Sequence, residues 1–433
     1  MIKTLDHIPV SKVARATKLI ATGARIGFNY LNYYKDKITH SEPEARFKLN
    51  ENNASDIYDS LASLKGSALK VLQMLSMNKS ILPPQYIEKF SLSQFSVPPL
   101  SAPLVNKTFQ KYFGKPPDEL FDRFQEEAVN AATIGQVHKA WKDGKTLAVK
   151  IQYPGVAESI SSDLKLVKPI AIRMFNLQGS DSEKYFREVE NKLLEETDYI
   201  LELNQSMEMA KACAAIPHLK FPQYYPQWSN ERIITMDFME GQHLSEFAAV
   251  NKDEKLANKI GQALWDFYMF QIHKLRKMQA DPHPGNFLIS KEGELIAIDF
   301  GCIKSLPKSF YKPYFDLHKP EILNNPEAFR KKMEELELIR PKDDKKQIQF
   351  FTELFHEMIS VFMTPLRYET FDFTDVSFFE RVYDLAEKFQ VDTRAKRMNG
   401  NRGSKHFIYM NRTFFGLYSL LHDLNAKCIR IPY

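Results

Sequence analysis

Residues 280–301 read Ala280-Asp-Pro-His-Pro-Gly-Asn286, Phe287-Leu-Ile-Ser290, Lys291-Glu-Gly-Glu294 and Leu295-Ile-Ala-Ile-Asp-Phe-Gly301, and this is the most informative segment of the chain. The two prolines and Gly285 predict an irregular loop, because proline lacks an N–H donor and fixes its φ angle. Two short apolar runs around a polar turn then predict a hairpin. The segment therefore presents Asp281 and Asn286 on a loop and Asp299 at the end of a strand.

The spacing of these three polar residues indicates phosphoryl-transfer chemistry. Asp281 and Asn286 stand five positions apart and Asp299 precedes Phe-Gly, which is the spacing of a kinase catalytic loop and its Asp-Phe-Gly segment. There, one Asp accepts a proton or positions the nucleophile, while the Asn and the second Asp hold Mg²⁺ on the phosphates. We therefore predict Asp281 as a catalytic residue and Asn286 and Asp299 as Mg²⁺ ligands. His283 is expected to brace the loop rather than to transfer protons.

A second hairpin is predicted earlier in the chain. Gln136-Val-His-Lys-Ala-Trp141 and Thr146-Leu-Ala-Val-Lys-Ile-Gln152 flank Asp143-Gly144, a typical two-residue turn. Lys150 lies in the second strand, where kinases carry the lysine that binds the nucleotide phosphates. A buried lysine needs an anionic partner. The candidates are Glu195, Glu196, Asp198 and Glu202, although such an acidic run is also typical of a solvated helix face.

Two further features separate this chain from an ordinary protein kinase. The loop Val129-Asn-Ala-Ala-Thr-Ile-Gly135 has one glycine and cannot approach phosphates as closely as a glycine-rich loop does. After Gly301 the chain lacks an Ala-Pro-Glu motif and a long activation segment, which argues against protein phosphorylation. Met236 and Met239, in and just after a predicted strand, either line an adenine pocket or belong to an ordinary core strand.

The net charge of the chain is concentrated at its N-terminus. Residues 1–40 contain seven Lys or Arg and two Asp, which accounts for the net charge of the chain, +5. A net charge of this size is too small for a dedicated nucleic-acid binder. Helical spacing predicts an amphipathic basic helix here, with an apolar stripe made of Val13, Thr17, Ile20, Ala24, Phe28 and Leu31. This helix either docks on its own protein or meets anionic lipid headgroups through residues 10–34.

The cysteine content and the N-terminal sequence indicate the cellular compartment of the protein. The 433 residues contain three cysteines, in no disulfide-like or zinc-like spacing, which predicts a reducing environment. The first residues do not resemble a signal peptide, and no 18-residue window is free of charge. We therefore expect a cytoplasmic protein whose membrane contact, if it has one, is peripheral on the inner face.

Several segments together resemble the UbiB/AarF-type atypical kinase family, which is associated with coenzyme Q biosynthesis. The matching segments are Lys70-Val-Leu-Gln73, Ala131-Ala-Thr-Ile-Gly-Gln-Val-His138, Leu147-Ala-Val-Lys-Ile-Gln-Tyr-Pro-Gly155, Glu196-Thr-Asp-Tyr-Ile-Leu-Glu202, Ala280-Asp-Pro-His-Pro-Gly-Asn286 and Ile298-Asp-Phe-Gly301. A weaker match is Arg412-Thr-Phe-Phe-Gly-Leu417. The segments follow the family order over roughly residues 55–305.

The resemblance implies an α+β, helix-rich, two-lobed protein-kinase-like fold with an N-terminal helical extension. The implied domains are the extension at 1–110, the N-lobe at 111–240 and the helical C-lobe at 241–433. It also implies a set of nucleotide-site residues. They are Lys70 and Gln73 of the extension, with Lys70 near Glu202; Lys150 paired with Glu196; Ala131, Ala132 and Gly135 of the alanine-rich loop; and Met236 and Met239 beside the adenine.

Three positions depart from the family pattern. Leu72 replaces a glycine in the extension motif, Gln279 replaces a histidine before the catalytic loop, and Asn130 replaces an alanine. Glutamine can form hydrogen bonds but does not titrate. These departures bear on how closely the extension and the alanine-rich loop approach the nucleotide.

We therefore expect a Mg²⁺-dependent ATP-binding protein, an ATPase or atypical kinase, linked to isoprenoid-quinone or other lipid metabolism. Two alternatives share the same residues: a non-catalytic, nucleotide-gated lipid-binding scaffold, and a small-molecule phosphotransferase.

Overall fold

A computed structural model describes residues 12–64, 84–91, 99–132, 134–175, 180–391 and 402–432. The chain divides into two compact units. The first contains the described residues up to Asn204 together with Gln223–Phe238, and the second contains Gln205–Pro222 together with the described residues from Met239 onward. The division expected from the sequence puts residues 205–222 in the N-lobe, whereas the structure groups them with the second unit.

The first unit combines helices with a small antiparallel sheet. Its helices are α1 (Lys12–Thr39), α2 (Glu42–Leu64), α3 (Pro84–Ser91), α4 (Ala102–Phe113), α5 (Pro117–Leu120), α6 (Val156–Phe175), α7 (Ser180–Glu196) and the start of α8 (Tyr199–Cys213). Its strands are β1 (Arg123–Phe124), β2 (Asn130–Ala131), β3 (Gly135–Lys142), β4 (Lys145–Gln152) and β6 (Ile233–Asp237); β5 (Leu219–Lys220) belongs to the second unit. The strand order is β1-β3-β4-β6, and β2 also pairs with β3.

The predicted hairpin around Asp143-Gly144 is present. Lys142 pairs with Lys145, so the turn has two residues, and both have positive φ angles, 51° at Asp143 and 74° at Gly144. This conformation matches the right-handed twist of the strands, and glycine adopts it at little cost. The hairpin sets Lys150 opposite Val137 on β3 and Ile234 on β6.

The helices before residue 110 and the sheet share one hydrophobic core. Ile57 and Leu61 of α2, and Phe90 of α3, belong to the same buried cluster as Leu147 and Val149 of β4. Burial of these side chains removes apolar surface from water at roughly 25 cal/mol per Å². The described part of the extension is therefore packed as part of the first unit.

The second unit is mainly helical. Its later strands are β7 (Gln242–His243), β8 (Lys277–Gln279), β9 (Phe287–Ile289), β10 (Leu295–Ala297), β11 (Ile303–Ser305), β12 (Thr370–Phe371) and β13 (Ile429–Arg430). Its helices are α9 (Leu244–Val250), α10 (Glu254–Phe270), α11 (Lys308–Asp316), α12 (Pro320–Leu323), α13 (Pro326–Glu335), α14 (Lys345–Phe362), α15 (Val376–Val391) and α16 (Lys405–Asp423).

The core of the second unit surrounds helix α10. Trp265, Phe267 and Tyr268 of α10 are fully buried, and they pack in one cluster with Phe287 of β9 and Phe300. Asp253 caps the start of α10 by accepting hydrogen bonds from the N–H groups of residues 255 and 256. The buried helix therefore forms a rigid support for the predicted loop and hairpin.

Short strands position the segment from 277 to 305. Strand β10 pairs antiparallel with β9 and parallel with β5, while β8 pairs antiparallel with β11. The predicted hairpin of residues 287–299 is thus present. No helix among the described residues combines the length and the hydropathy that crossing a membrane requires.

Candidate nucleotide and magnesium site

The loop that begins at Asp281 is held by its own hydrogen bonds. Asn286 donates from Nδ2 to the Asp281 carbonyl at 2.9 Å, and its backbone N–H donates to the His283 carbonyl at 3.0 Å. The Nδ1 atom of His283 accepts a hydrogen bond from the Gly285 N–H at 3.1 Å. His283 therefore has the geometry of the turn-bracing role that the sequence predicts.

The hairpin register brings Asn286 and Asp299 together. Phe287 pairs with Ala297, and the Ile298 N–H donates to the Asn286 carbonyl at 3.0 Å. Asp299 is the next residue, and its Oδ1 accepts a hydrogen bond from the Gly301 N–H at 2.8 Å. Asn286, just before β9, and Asp299, just after β10, are thirteen positions apart in the sequence and lie at the same end of this strand pair.

Gln279 connects the start of the loop of residues 281–286 to the Asp299 segment. Its Nε2 donates to the Asp299 carbonyl, and its backbone N–H donates to Oε1 of Gln271 at 2.8 Å. The Ala280 N–H donates to the Cys302 carbonyl at 2.8 Å, which continues the pairing of β8 with β11. Gln279 therefore serves as a hydrogen-bonding link between the two segments. The sequence offered no signal that Gln271 would support it.

Tyr268 lies beneath this link. Its hydroxyl is 3.5 Å from Oε1 of Gln279. Complete burial, and then the nearby charge of Asp281, raise the pKa of Tyr268 well above its ordinary value. Tyr268 is therefore a protonated hydrogen-bond donor in the support of the loop.

The donor chemistry of this edge fits Mg²⁺ held together with phosphates. Asn286 donates from Nδ2 to the Asp281 carbonyl, and this hydrogen bond orients the side-chain oxygen Oδ1 of Asn286. Asp299 supplies a carboxylate. Mg²⁺ is usually bound by one or two protein carboxylates plus substrate phosphates and water. Across the described ranges, no cluster of three or more His, Cys, Asp or Glu could hold a metal. The two oxygen donors of Asn286 and Asp299 suit a cation whose other ligands are phosphate oxygens and water.

Lys150 forms a short ion pair in the first unit. Its Nζ is 2.5 Å from Oε1 of Glu202, and both side chains are largely buried, at 20% and 8% exposure. The ammonium also lies 5.3 Å from the ring centroid of Tyr199. Glu202 stands in the first turn of α8. A lysine inside a sheet is thus compensated by a carboxylate from a neighbouring helix.

Glu202 is one of the four acidic candidates for Lys150, whereas the pairing of Glu196 with Lys150 stays a prediction; Lys70, predicted near Glu202, lies outside the described residues. Glu196 ends α7, where its Oε1 is 3.9 Å from Nζ of Lys192, one turn earlier. The chain bends between α7 and α8, and Gln152 holds that bend by donating to the Thr197 carbonyl at 3.0 Å. The bend turns the first turn of α8 toward β4, which a helical pattern over residues 193–202 does not reveal.

The alanine-rich loop joins β2 to β3. Ala131 is half-buried and pairs with Gln136, while the Ala132 N–H donates to the Gly135 carbonyl at 2.8 Å. A Cβ atom at Gly135 would lie 2.7 Å from the Ile151 carbonyl oxygen and 2.8 Å from the Tyr199 hydroxyl. Gly135 is therefore required for packing inside the first unit.

The two methionines predicted beside the adenine lie in and just after strand β6. Met236 is half-buried in β6, opposite Ala148, and Met239 is half-buried just after that strand. Lys70 and Gln73 lie outside the described residues.

Sequence reasoning gave no role to Arg412, which contacts the loop of residues 281–286. Its Nη2 is 2.8 Å from Oδ1 of Asp281. The available signal was the Arg412-Thr-Phe-Phe-Gly416 segment, which spans one helical turn.

A protein-family model matches a large part of the chain. Residues 92–333, more than half of the chain, match the model of the ABC1 atypical kinase-like domain. This range includes Lys150, Glu202, Asp281, Asn286 and Asp299.

Curated relatives agree with this assignment. The chain is 30% identical over 334 residues to "Atypical kinase coq-8, mitochondrial" of Caenorhabditis elegans, covering 72% of this chain and 43% of that protein. It is 27% identical over 342 residues to an uncharacterized, chloroplastic aarF domain-containing protein kinase of Arabidopsis thaliana, covering 78% and 48%. The chain spans about half the length of the curated relatives it matches.

A solved structure has the same fold. A Mycobacterium tuberculosis protein, described as the complex of Rv3197 with erythromycin, aligns with a TM-score of 0.60 and 28% identity, covering 90% of this chain and 96% of that one. The helix-rich, α+β, kinase-like fold predicted from the sequence is therefore confirmed. On the family match and these relatives, the chain belongs to the ABC1 atypical kinase-like family, which includes the AarF domain-containing kinases.

Proposed function

We propose that this protein binds ATP together with Mg²⁺ and hydrolyses it, as an atypical kinase-like ATPase. The observation that carries the proposal is the hydrogen bond from the Ile298 N–H to the Asn286 carbonyl, at 3.0 Å, which makes Asn286 and Asp299 neighbours. An amide oxygen and a carboxylate at one edge are suitable ligands for a cation on a triphosphate. Family membership supports the same chemistry.

Each residue has a separate role in this proposal. Asn286 and Asp299 would hold Mg²⁺, which when bound neutralises charge on the phosphates. Lys150 binds phosphate oxygens through its ammonium group, and Glu202 orients that group. Asp281 orients the attacking water or hydroxyl and accepts its proton. Such positioning and charge stabilisation account for most of the catalysis in phosphoryl transfer.

The direct test is the Asp299→Asn variant. We expect it to lose Mg²⁺-dependent phosphate release from ATP by about 100-fold or more, because a carboxylate ligand becomes neutral. Asp384→Asn, an exposed position on α15, is the matched control and should keep the parent rate. Hydrolysis at the parent rate in Asp299→Asn would remove the proposed metal role.

A nucleotide-gated scaffold is the second candidate. It is favoured by Gln279, which supplies hydrogen bonds but no titratable group next to Asp281. Saturable ATP binding without phosphate release, with and without anionic liposomes, would support the scaffold over the ATPase. Detection of a phosphorylated metabolite would instead favour a small-molecule phosphotransferase.

The link to isoprenoid-quinone or lipid metabolism is a further part of the proposal. It rests on the family resemblance and on the relative named coq-8. Quinone levels in cells that carry Asp299→Asn in place of the parent test this link. Unchanged levels would remove it without affecting the hydrolysis assay.

Peripheral contact of α1 with an anionic membrane is supported by the orientation of that helix. Its contacts with α2 are partly polar, since Asn29 donates from Nδ2 to Oδ1 of Asn53 and to Oδ2 of Asp56. Phe28 and Leu31 are each 61% exposed on the other side of the helix. The members of the predicted stripe whose side chains the structure describes, Thr17, Ala24, Phe28 and Leu31, are all exposed.

An apolar helix face next to basic residues fits the interface of a bilayer with anionic headgroups. Flotation with anionic vesicles should therefore weaken in the Phe28→Ser/Leu31→Ser double variant. Val250→Ser, which changes an exposed apolar residue in the second unit, is the control. Equal flotation of all three proteins would rule out α1 as the contact.

A further inference from the structure

Helix α16 contacts the catalytic loop through an ion pair. Nη2 of Arg412 lies 2.8 Å from Oδ1 of Asp281, and the two side chains are 32% and 36% exposed. The residues are 131 positions apart. Arginine presents a planar set of donors that fixes the direction of a carboxylate, which a lysine does not do.

One turn further along α16, Gly416 contacts the next residue of the loop. A Cβ atom at position 416 would lie 2.3 Å from Cγ of Pro282 and 3.3 Å from its carbonyl oxygen. The proline ring is not the end of a flexible side chain, so even an alanine at 416 would push the loop away. Residues 412 and 416 lie on the same face of the helix, because they are four positions apart.

The loop itself contains no lysine or arginine that could pair with Asp281. The sequence Asp281-Pro-His-Pro-Gly-Asn286 has neither Lys nor Arg. Its internal hydrogen bonds act on the backbone, since the His283 N–H and Nδ2 of Asn286 both donate to the Asp281 carbonyl, at 2.8 and 2.9 Å. A charged contact to the Asp281 carboxylate comes instead from α16.

We infer that Arg412 and Gly416 form a clamp on the catalytic loop. In this clamp Arg412 is a positioning residue that sets the direction of the Asp281 carboxylate, and Gly416 lets Pro282 lie against the helix. Arg412 acts through Asp281. The catalytic consequence rests on the proposed ATPase function, whereas the clamp itself is a property of the second unit.

A double-mutant cycle tests the positioning role. Arg412→Gln should lower kcat for ATP hydrolysis roughly 10-fold to 100-fold with KM for ATP nearly unchanged, because only the oriented carboxylate is lost. Asp281→Asn should lower kcat at least as much, and the double variant should match Asp281→Asn. Arg412→Lys should restore only part of the rate.

The control is Arg330→Gln, which removes an exposed ion pair with Glu334 on α13, 3.0 Å in length. It should keep the parent kcat. Multiplicative losses in the Asp281→Asn/Arg412→Gln protein, or a parent rate in Arg412→Gln, would overturn the positioning role.

Amide hydrogen exchange tests the clamp without relying on activity. The loop amides of His283, Gly285 and Asn286 are all hydrogen-bonded within the loop. Their exchange should become about ten-fold faster in Arg412→Gln and in Gly416→Ala, while the amides of β10 keep their parent rates. Unchanged loop exchange in both variants overturns the clamp.

Failure of the proposed ATPase function and failure of the positioning role of Arg412 give different results. If the parent protein hydrolyses no ATP, the proposed function fails, and the exchange experiment alone decides the clamp. If the parent hydrolyses ATP but the cycle is multiplicative, the proposed function stands and the positioning role falls.

Discussion

The residue pair Lys150 and Glu202 combines a short distance with burial. Taking charged groups out of water is costly, so the loss of one partner leaves the other poorly compensated. Glu202→Gln keeps the shape of the side chain but removes its charge. We expect a loss of about 1–3 kcal/mol in the free energy of unfolding, measured by urea denaturation at pH 7.

Glu158→Gln is the matched control for this change. Glu158 accepts a bond from Arg232 at 3.2 Å, but its side chain is 59% exposed. Exposed ion pairs contribute little, so this variant should change the unfolding free energy by less than about 1 kcal/mol. Equal losses in the two variants would contradict a special role for burial at Glu202.

His273 makes the stability of the second unit sensitive to acid. Burial, and then the charges of Arg276, His318 and Lys274, lower the pKa of His273 from 6.5 to about 4. Because the folded-state pKa is the lower one, the stabilisation is complete above pH 6.5. It is lost as the pH falls toward 4, at no more than about 1.4 kcal/mol per pH unit.

His273→Gln removes this dependence. We expect the parent protein to lose about 1.5 kcal/mol more than His273→Gln between pH 6.5 and pH 5, in parallel urea titrations. Nδ1 of His273 is 2.6 Å from the Tyr311 hydroxyl, and glutamine keeps a polar group for that contact. Parallel losses in the two proteins would show that His273 titrates normally in the folded state.

At the scale of elements, local sequence signals predicted the two hairpins. Asp143-Gly144 specifies a two-residue turn, and the loop of residues 281–286 is specified by its prolines and glycine. The register of β9 with β10 then follows, so the neighbourhood of Asn286 and Asp299 could be predicted from the sequence. These features depend on contacts between residues close in the chain.

Other features depend on tertiary packing. The bend between α7 and α8 brings Glu202 to Lys150, and a hydrogen bond from Gln152 to Thr197 stabilises that bend. Likewise, α1 contacts α2 partly through polar side chains such as Asn29, and Phe28 and Leu31 of its apolar stripe stay exposed. Neither choice is encoded in a local pattern, since both depend on partners far away in the sequence.

Gly135 shows how an element can depend on one missing side chain. A Cβ there would meet the Ile151 carbonyl oxygen at 2.7 Å, within the pairing of β3 with β4. Gly135→Ala should therefore lower the free energy of unfolding by about 1–3 kcal/mol, because the strands must shift. Thermal and urea denaturation measure this loss.

Gly27→Ala is the control for Gly135→Ala, and it should raise the free energy of unfolding instead of lowering it. Gly27 lies in α1, and apart from its chain neighbours and the helix backbone no described atom lies within 4 Å of the position of its Cβ. Alanine in an open helical position should stabilise the protein by roughly 0.5–1 kcal/mol. A neutral Gly135→Ala would show that the two strands accommodate a methyl group.

At the scale of the whole molecule, the N-terminal region contributes separately to the net charge and to the hydrophobic core of the first unit. The +5 net charge arises from residues 1–40, whereas the described helices before residue 110 share a core with the sheet. The N-terminal helices therefore add both stability and a basic surface to the first unit. Removal of residues 1–110 would expose the apolar face of β4, so truncation is a poor test of function.

Ligand-dependent stability is a better test for the intact chain. Anything that binds only the folded state raises its stability by RT ln(1 + [L]/Kd), about 2.7 kcal/mol at a hundred-fold excess over Kd. Because Asn286 and Asp299 suit a cation that also takes phosphate ligands, Mg²⁺ alone should leave the thermal midpoint unchanged. ATP with Mg²⁺ should raise it more than ATP alone. In Asp299→Asn the increment from Mg²⁺ should disappear while that from ATP remains, and a stabilisation by Mg²⁺ without nucleotide would contradict the proposed ligand set.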